Sequence, residues 1–184
     1  MRKILLTSAG FETDRILNVF HDLLTKAPSN TKALFIPTAA NDSDAIAVLP
    51  KCMNDLLKAG ILPQNIGVFD LHRNMEADEL NQYDVVYFTG GSPQYLLERI
   101  NDTGFNKTLA QYVNHGGIFI GVSAGSLIAT NSLPNNLGYI NCTLSVHAET
   151  GTKSGEIDIS QNPHVYLTGE NVILILGDNC EVME

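Results

Sequence analysis

Ser123 is the residue with the clearest chemical promise. It stands in Gly121-Val122-Ser123-Ala124-Gly125, a G-x-S-x-G pattern. The apolar run Ile118-Phe119-Ile120 precedes it, and Ser126-Leu127-Ile128-Ala129, compatible with a helix, follows. Strand, sharp turn and helix are the context in which this pattern presents a nucleophile. Ser123 is then expected at the carboxyl end of a buried strand. A helix beginning at Ala124 would aim its first amides at negative charge developing there. A glycine-rich βα turn with a helix-capping serine would read the same way, so the partners decide.

A nucleophilic serine needs a base. Of the five histidines, His21 falls in the first helix and His72 follows the third strand. His115 precedes the fifth strand and lies at the wrong end of the sheet. His147 ends a short strand, from which a side chain can reach over the carboxyl edge, and it is preferred to His164, which opens a strand in the tail. An oxyanion hole needs two donors. The Ala124 amide is one, and the Gly90-Gly91 loop after the fourth strand is placed to supply the other. A plain Gly-Gly turn before a helix fits that loop equally well. No G-x-G-x-x-G follows the first strand and no P-loop is present.

These residues require a framework. Lys3–Thr7, Ala33–Ile36, Ile66–Leu71, Asp84–Phe88 and 117–120 read as strands. Helical spacing occupies 14–24, 43–59, 76–80, 94–100 and 105–114. Alternating strands and helices imply parallel βα units with right-handed crossovers, and continuous apolar strands imply a sheet covered on both faces. Ligands of such doubly wound sheets sit at the carboxyl ends of the strands. Thr7, Ser8, Asn41, Ser92 and Tyr95 lie on or near those loops and are candidate substrate contacts. After Thr130 come turns, a strand over Thr143–Val146, a polar loop, and Val165–Leu167, Val172–Leu176 and Glu181-Val182, which read as a β-meander. The expected fold class is α/β, one doubly wound and mostly parallel sheet with a C-terminal β-meander, forming a single domain over 1–184.

The totals narrow the function. Hydrophobic content of 44% and charged content of 17% suit a folded, water-soluble chain. A net charge of −9 argues against nucleic acid or an anionic membrane as partner. Cys52, Cys142 and Cys180 are odd in number and widely spaced, which suggests neither disulfides nor a zinc site but reduced thiols in a cytoplasmic protein. The apolar run after Met1-Arg2-Lys3 stops at Thr7-Ser8, too soon for a signal peptide. Too few residues follow Ser123 for the further βα units of an α/β-hydrolase.

Two motifs and their spacing resemble the serine peptidase family of dipeptidase E and cyanophycinase. They are Phe88-Thr89-Gly90-Gly91-Ser92-Pro93-Gln94-Tyr95-Leu96-Leu97 and Gly116-Gly117-Ile118-Phe119-Ile120-Gly121-Val122-Ser123-Ala124-Gly125-Ser126. Leu137-Gly138-Tyr139-Ile140 leading to Val146-His147 adds a third match. The resemblance implies a fold like the class I glutamine amidotransferases, within the flavodoxin-like group. It implies a nucleophile at Ser123, a base at His147 and an oxyanion hole made by the amides of Gly91 and Ala124. It also implies an acid in a Leu-Pro-[Asp/Glu]-Gly turn. The corresponding piece is Leu167-Thr168-Gly169-Glu170-Asn171, where Gly169 takes the acid's position and Glu170 follows it. Glu170 as a displaced acid, Glu149 beside His147, and no acid at all stay open.

The expected activity is hydrolysis of a small peptide through an acyl-enzyme, without metal or organic cofactor. A homodimer is compatible with the sequence. The alternative is a non-catalytic small-molecule or peptide-binding member of the same fold that has lost the acid.

Overall fold

The computed structural model describes residues 1–184. Five strands form the parallel part of the sheet: β1 (Lys3–Thr7), β2 (Ala33–Ile36), β3 (Ile66–Val68), β4 (Val85–Phe88) and β5 (Ile118–Val122). Each of β1, β2, β4 and β5 is nearly continuous in apolar residues, because helices cover both faces. Those helices are α1 (Asp14–Leu23), α2 (Ser43–Lys58), α3 (Ala77–Leu80), α4 (Pro93–Asp102) and α5 (Phe105–Asn114), with the single-turn α6 (Ala124–Leu127) directly after β5. Side-chain caps fix their starts: Thr13 accepts from the Ile16 amide, Asp42 from Ala45 and Ser92 from Tyr95.

Three antiparallel strands extend the sheet beyond β1. With β7 (Gly155–Glu156), β9 (Val172–Leu176) and β10 (Asn179–Met183), the order is β3-β2-β4-β5-β1-β9-β10-β7. The chain is α/β with a mostly parallel central sheet, as expected. The tail differs in one respect from an uninterrupted meander. The strand at His164–Tyr166, β8, leaves the main sheet and pairs in parallel with β6 (Thr143–Ser145) in a separate two-stranded sheet. Leu144 and Val165 are buried, so this small sheet gains more by covering the core's edge than by prolonging the hairpin. The third strand also ends at Val68, short of the expected Leu71.

The core lies in two layers. One packs Leu6, Phe88, Phe119 and Ile128 on one face of the sheet, and the other packs Leu5, Phe20, Leu56 and Tyr87 on the opposite face. Strand register positions the loops at the carboxyl edge. Thr7 pairs with Val122, and Phe88 pairs with Gly121. The residues just beyond β1 and β4 therefore lie on either side of Ser123.

Candidate active site

Ser123 occupies the turn between β5 and α6 with φ 49° and ψ −105°, a conformation that L-residues avoid. Such a backbone costs about 1–3 kcal/mol and persists only where neighbours over-determine it. Here they do. The Ser123 amide donates to the Thr7 carbonyl at 3.0 Å, and its carbonyl accepts from the Ser126 and Leu127 amides at 2.9 and 3.0 Å. The fully buried Ser126 hydroxyl lies 2.8 Å from the carbonyls of Thr7 and Gly121 and accepts the Thr7 amide at 3.0 Å. The turn leaves no room for a side chain on Gly121, which would meet the Gly125 carbonyl. The elbow is thus built by packing around β1, β5 and α6.

The Ser123 Oγ lies 2.9 Å from Nε2 of His147. His147 follows β6 and carries a positive φ of 58°. That conformation turns its ring back over the carboxyl edge of the sheet. Its other ring nitrogen, Nδ1, faces the Ser8 Oγ at 3.4 Å, and its backbone amide donates to the same oxygen at 2.7 Å. Ser8 is buried at the end of β1. One hydroxyl therefore holds both the backbone and the ring of His147. The tautomer with its proton on Nδ1 is the one that leaves Nε2 to accept from Ser123.

No carboxylate reaches His147. Glu149 and Glu170 both line a separate polar hollow of about 550 Å³, with Thr13, Arg15 and Thr168. The cause lies in the 168–171 turn. The buried Asn171 side chain accepts from the Thr168 amide at 2.8 Å and donates to the Thr152 carbonyl at 3.1 Å. The Glu170 amide is bonded to the Thr168 hydroxyl, and its side chain points to solvent. The sequence left Glu170, Glu149 or no acid open for the third position, and in the structure the group facing Nδ1 is the Ser8 hydroxyl. In the sequence Ser8 reads only as a crevice residue. Its pairing with His147 spans 139 positions, and no local pattern signals it.

The oxyanion donors expected from sequence sit where a loop and a helix start meet. Gly91 has φ 134°, and a Cβ there would strike the Ala39 carbonyl. Only glycine permits that approach. The Gly91 amide has no protein acceptor. Ala124 opens α6, and its amide is one that no intrahelical carbonyl can reach.

Ser123, His147, Ser8, Gly90 and Gly91 share one cleft of about 330 Å³. Its remaining wall is formed chiefly by α2, through Ala45, Val48, Leu49, Lys51 and Cys52. Four expected contacts are absent from this lining. Thr7 is buried, with its hydroxyl donating to the Gly121 carbonyl at 3.2 Å. Asn41 is exposed, the Ser92 hydroxyl is committed to capping α4, and Tyr95 is on the outer surface of that helix. A cap and a solvent-facing helix position look alike in sequence to a loop that approaches a ligand. The other histidines are elsewhere. His164 bonds the Thr143 and Ser145 hydroxyls at 2.8 and 2.9 Å. His115 lines a cleft at the amino ends of β1 and β5, His72 pairs with Asp70, and His21 bonds the Ala59 carbonyl.

Beneath the α2 wall lies a buried carboxylate. Asp55 accepts from the Tyr87 hydroxyl at 2.6 Å and from the Phe11 amide at 3.1 Å. Burial pushes its pKa up, and those two hydrogen bonds oppose the shift. Burial, then the nearby Asp55, likewise raises the Cys52 thiol. Asp55 anchors the 8–11 loop at Phe11, on the same short segment that carries Ser8.

The chain is similar to several proteins of known sequence or structure. Uncharacterized peptidase Lin0382 of Listeria innocua is 26% identical over 140 residues, covering 76% of this chain and 63% of the relative. Uncharacterized peptidase Lmo0363 of Listeria monocytogenes is 24% identical over 168 residues, 89% of this chain and 78% of the relative. The first match thus spans less than two thirds of the relative's length. A 1.5 Å crystal structure from Listeria monocytogenes EGD-e, provisionally described as a peptidase E protein, superposes with a TM-score of 0.74 at 20% identity. It covers 100% of this chain and 98% of that one, a likeness of fold. The model of peptidase family S51 matches residues 4–171, and by that match the chain belongs to peptidase family S51.

Proposed function

We propose that this protein is a serine hydrolase that cleaves a small peptide through an acyl-enzyme. The observation that carries the reading is the 2.9 Å contact between Ser123 Oγ and His147 Nε2 on a strained elbow. In the first step Ser123 Oγ bonds to the peptide carbonyl carbon while Nε2 takes its proton. The carbonyl oxygen becomes the oxyanion, facing the Gly91 and Ala124 amides. His147 then returns the proton to the leaving nitrogen as the C–N bond breaks. A water, deprotonated by His147 Nε2, then attacks the acyl carbon; the bond to Ser123 Oγ breaks, Nε2 returns the proton to Oγ, and the acid product leaves.

Ser8 takes the orienting part that a carboxylate holds in the Ser-His-Asp triad. Being uncharged, it orients the ring but offers less to the imidazolium. A slow enzyme is expected. The missing carboxylate favours a second reading, a peptide-binding protein that keeps the elbow without turnover.

A fluorophosphonate probe, applied to wild type and Ser123→Ala, separates the two. Stoichiometric labelling that disappears in the variant supports the hydrolase. A folded wild type that takes no label is a binding protein.

A further inference from the structure

The α2 side of the Ser123 cleft bears no free charge. Ala45, Val48 and Leu49 present methyl and isopropyl or isobutyl groups to it, and Val122 closes the inner corner. The lining's only lysine, Lys51, is already ion-paired with Glu12. Val48 is 46% exposed in a helix whose neighbouring Ile46 is 53% exposed. Apolar side chains left in water at the mouth of a cleft are what an apolar ligand group would cover. The leaving nitrogen must face His147. The α2 residues are then the apolar lining left for the residue that keeps the scissile carbonyl.

We infer that the subsite for the carbonyl-donating residue is the Ala45-Val48-Leu49 wall, and that it selects an uncharged aliphatic side chain. This rests on the serine hydrolase reading above. A carboxylate placed there would have to compete with Glu12 for Lys51, and an ammonium would find no carboxylate in the lining, while either loses water. A valine, leucine or methionine side chain loses only apolar hydration. At 330 Å³ the cleft suits a substrate of one or two residues around the bond.

The test is a panel of X-Gly dipeptides with X as Val, Leu, Met, Asp or Lys, scored by free glycine, with Ser123→Ala as blank. The aliphatic members should exceed Asp and Lys by about tenfold or more in kcat/KM. Val48→Asp should remove most of that advantage, while Ser123 of the variant still takes a fluorophosphonate label, showing an intact elbow. Preference for Asp or Lys overturns the inference. So does a Val48→Asp variant with an unchanged ratio, or a labelled wild type that cleaves none of the panel. Absence of labelling in the folded wild type would instead defeat the hydrolase reading on which the inference stands.

Discussion

Replacing Ser8 by alanine tests the mechanism at its least familiar point. The hydroxyl makes two contacts with His147, at 2.7 Å to the amide and 3.4 Å to Nδ1. The first is a full hydrogen bond in a part-buried place. Its loss leaves the His147 amide unpaired, at a stability cost of about 1–3 kcal/mol. The second is long for N–H···O in the resting state. It gains weight when His147 takes the serine proton, because a hydrogen bond to a charged group is worth about 1.5–3 kcal/mol. Lost only in the transition state, that amount lowers kcat by roughly 10- to 100-fold with little change in KM. A carboxylate in this position would be worth about 10⁴ in kcat. The assay is steady-state dipeptide hydrolysis with the melting temperature measured alongside. Glu149→Gln and Glu170→Gln serve as paired controls, each expected within about twofold of wild type since neither side chain lines the cleft. If either glutamine variant loses activity by orders of magnitude while Ser8→Ala retains its kcat, a glutamate reaches His147 during turnover and the serine assignment is wrong.

Gly91→Ala forces a methyl group against the Ala39 carbonyl and displaces a proposed oxyanion donor. Activity should fall by about 10²–10³ in kcat, read with the same dipeptide assay. Ser126→Ala removes the hydroxyl that accepts the Thr7 amide and faces two carbonyls. Denaturant unfolding should show a loss of about 1–3 kcal/mol. Asp55 gives a pH dependence with a definite sign. Its pKa is raised in the fold by burial, so the folded state favours the proton. Its stability contribution is fully present below the unfolded carboxyl value of about 3.9 and declines as pH rises through the raised value. The stability of wild type minus that of Asp55→Asn should therefore fall with rising pH, and a rise would show that hydrogen bonding outweighs burial. All three cysteines are buried, with thiols pushed up, Cys142 to about 12. Iodoacetamide at about pH 7.5 should leave hydrolysis by the native protein intact, since thiolate is the reactive form.

Much of the site was legible because it is local. The β5–elbow–α6 segment is contiguous, and the apolar run, the small residues and the following helix can each be read from neighbours along the chain. The same holds for β4 and Gly90-Gly91, whose separation from Ser123 is bridged by two ordinary helices. The parallel order followed from strands alternating with helices of sufficient length. The tail was harder. His164–Tyr166 has the residues of a strand, but which partner it takes depends on whose edge is free and which apolar face needs cover. Those are properties of the folded sheet.

The carboxylate shows the limit most plainly. By itself the sequence determined a nucleophile turn, a sheet to hold it and a histidine on a strand leading toward it. It could nominate Glu149 and Glu170 only by their nearness along the chain to His147 and to the Leu-Pro-[Asp/Glu]-Gly position. Tertiary structure placed both in a hollow apart from His147, with Asn171 tying down the turn that leaves Glu170 exposed. It placed Ser8 at the ring instead, because the Thr7–Val122 register lays the end of β1 beside the elbow. A hydrogen bond to a catalytic ring is set by separations of tenths of an ångström, and contacts across 139 residues acquire such precision only once the sheet between them has formed.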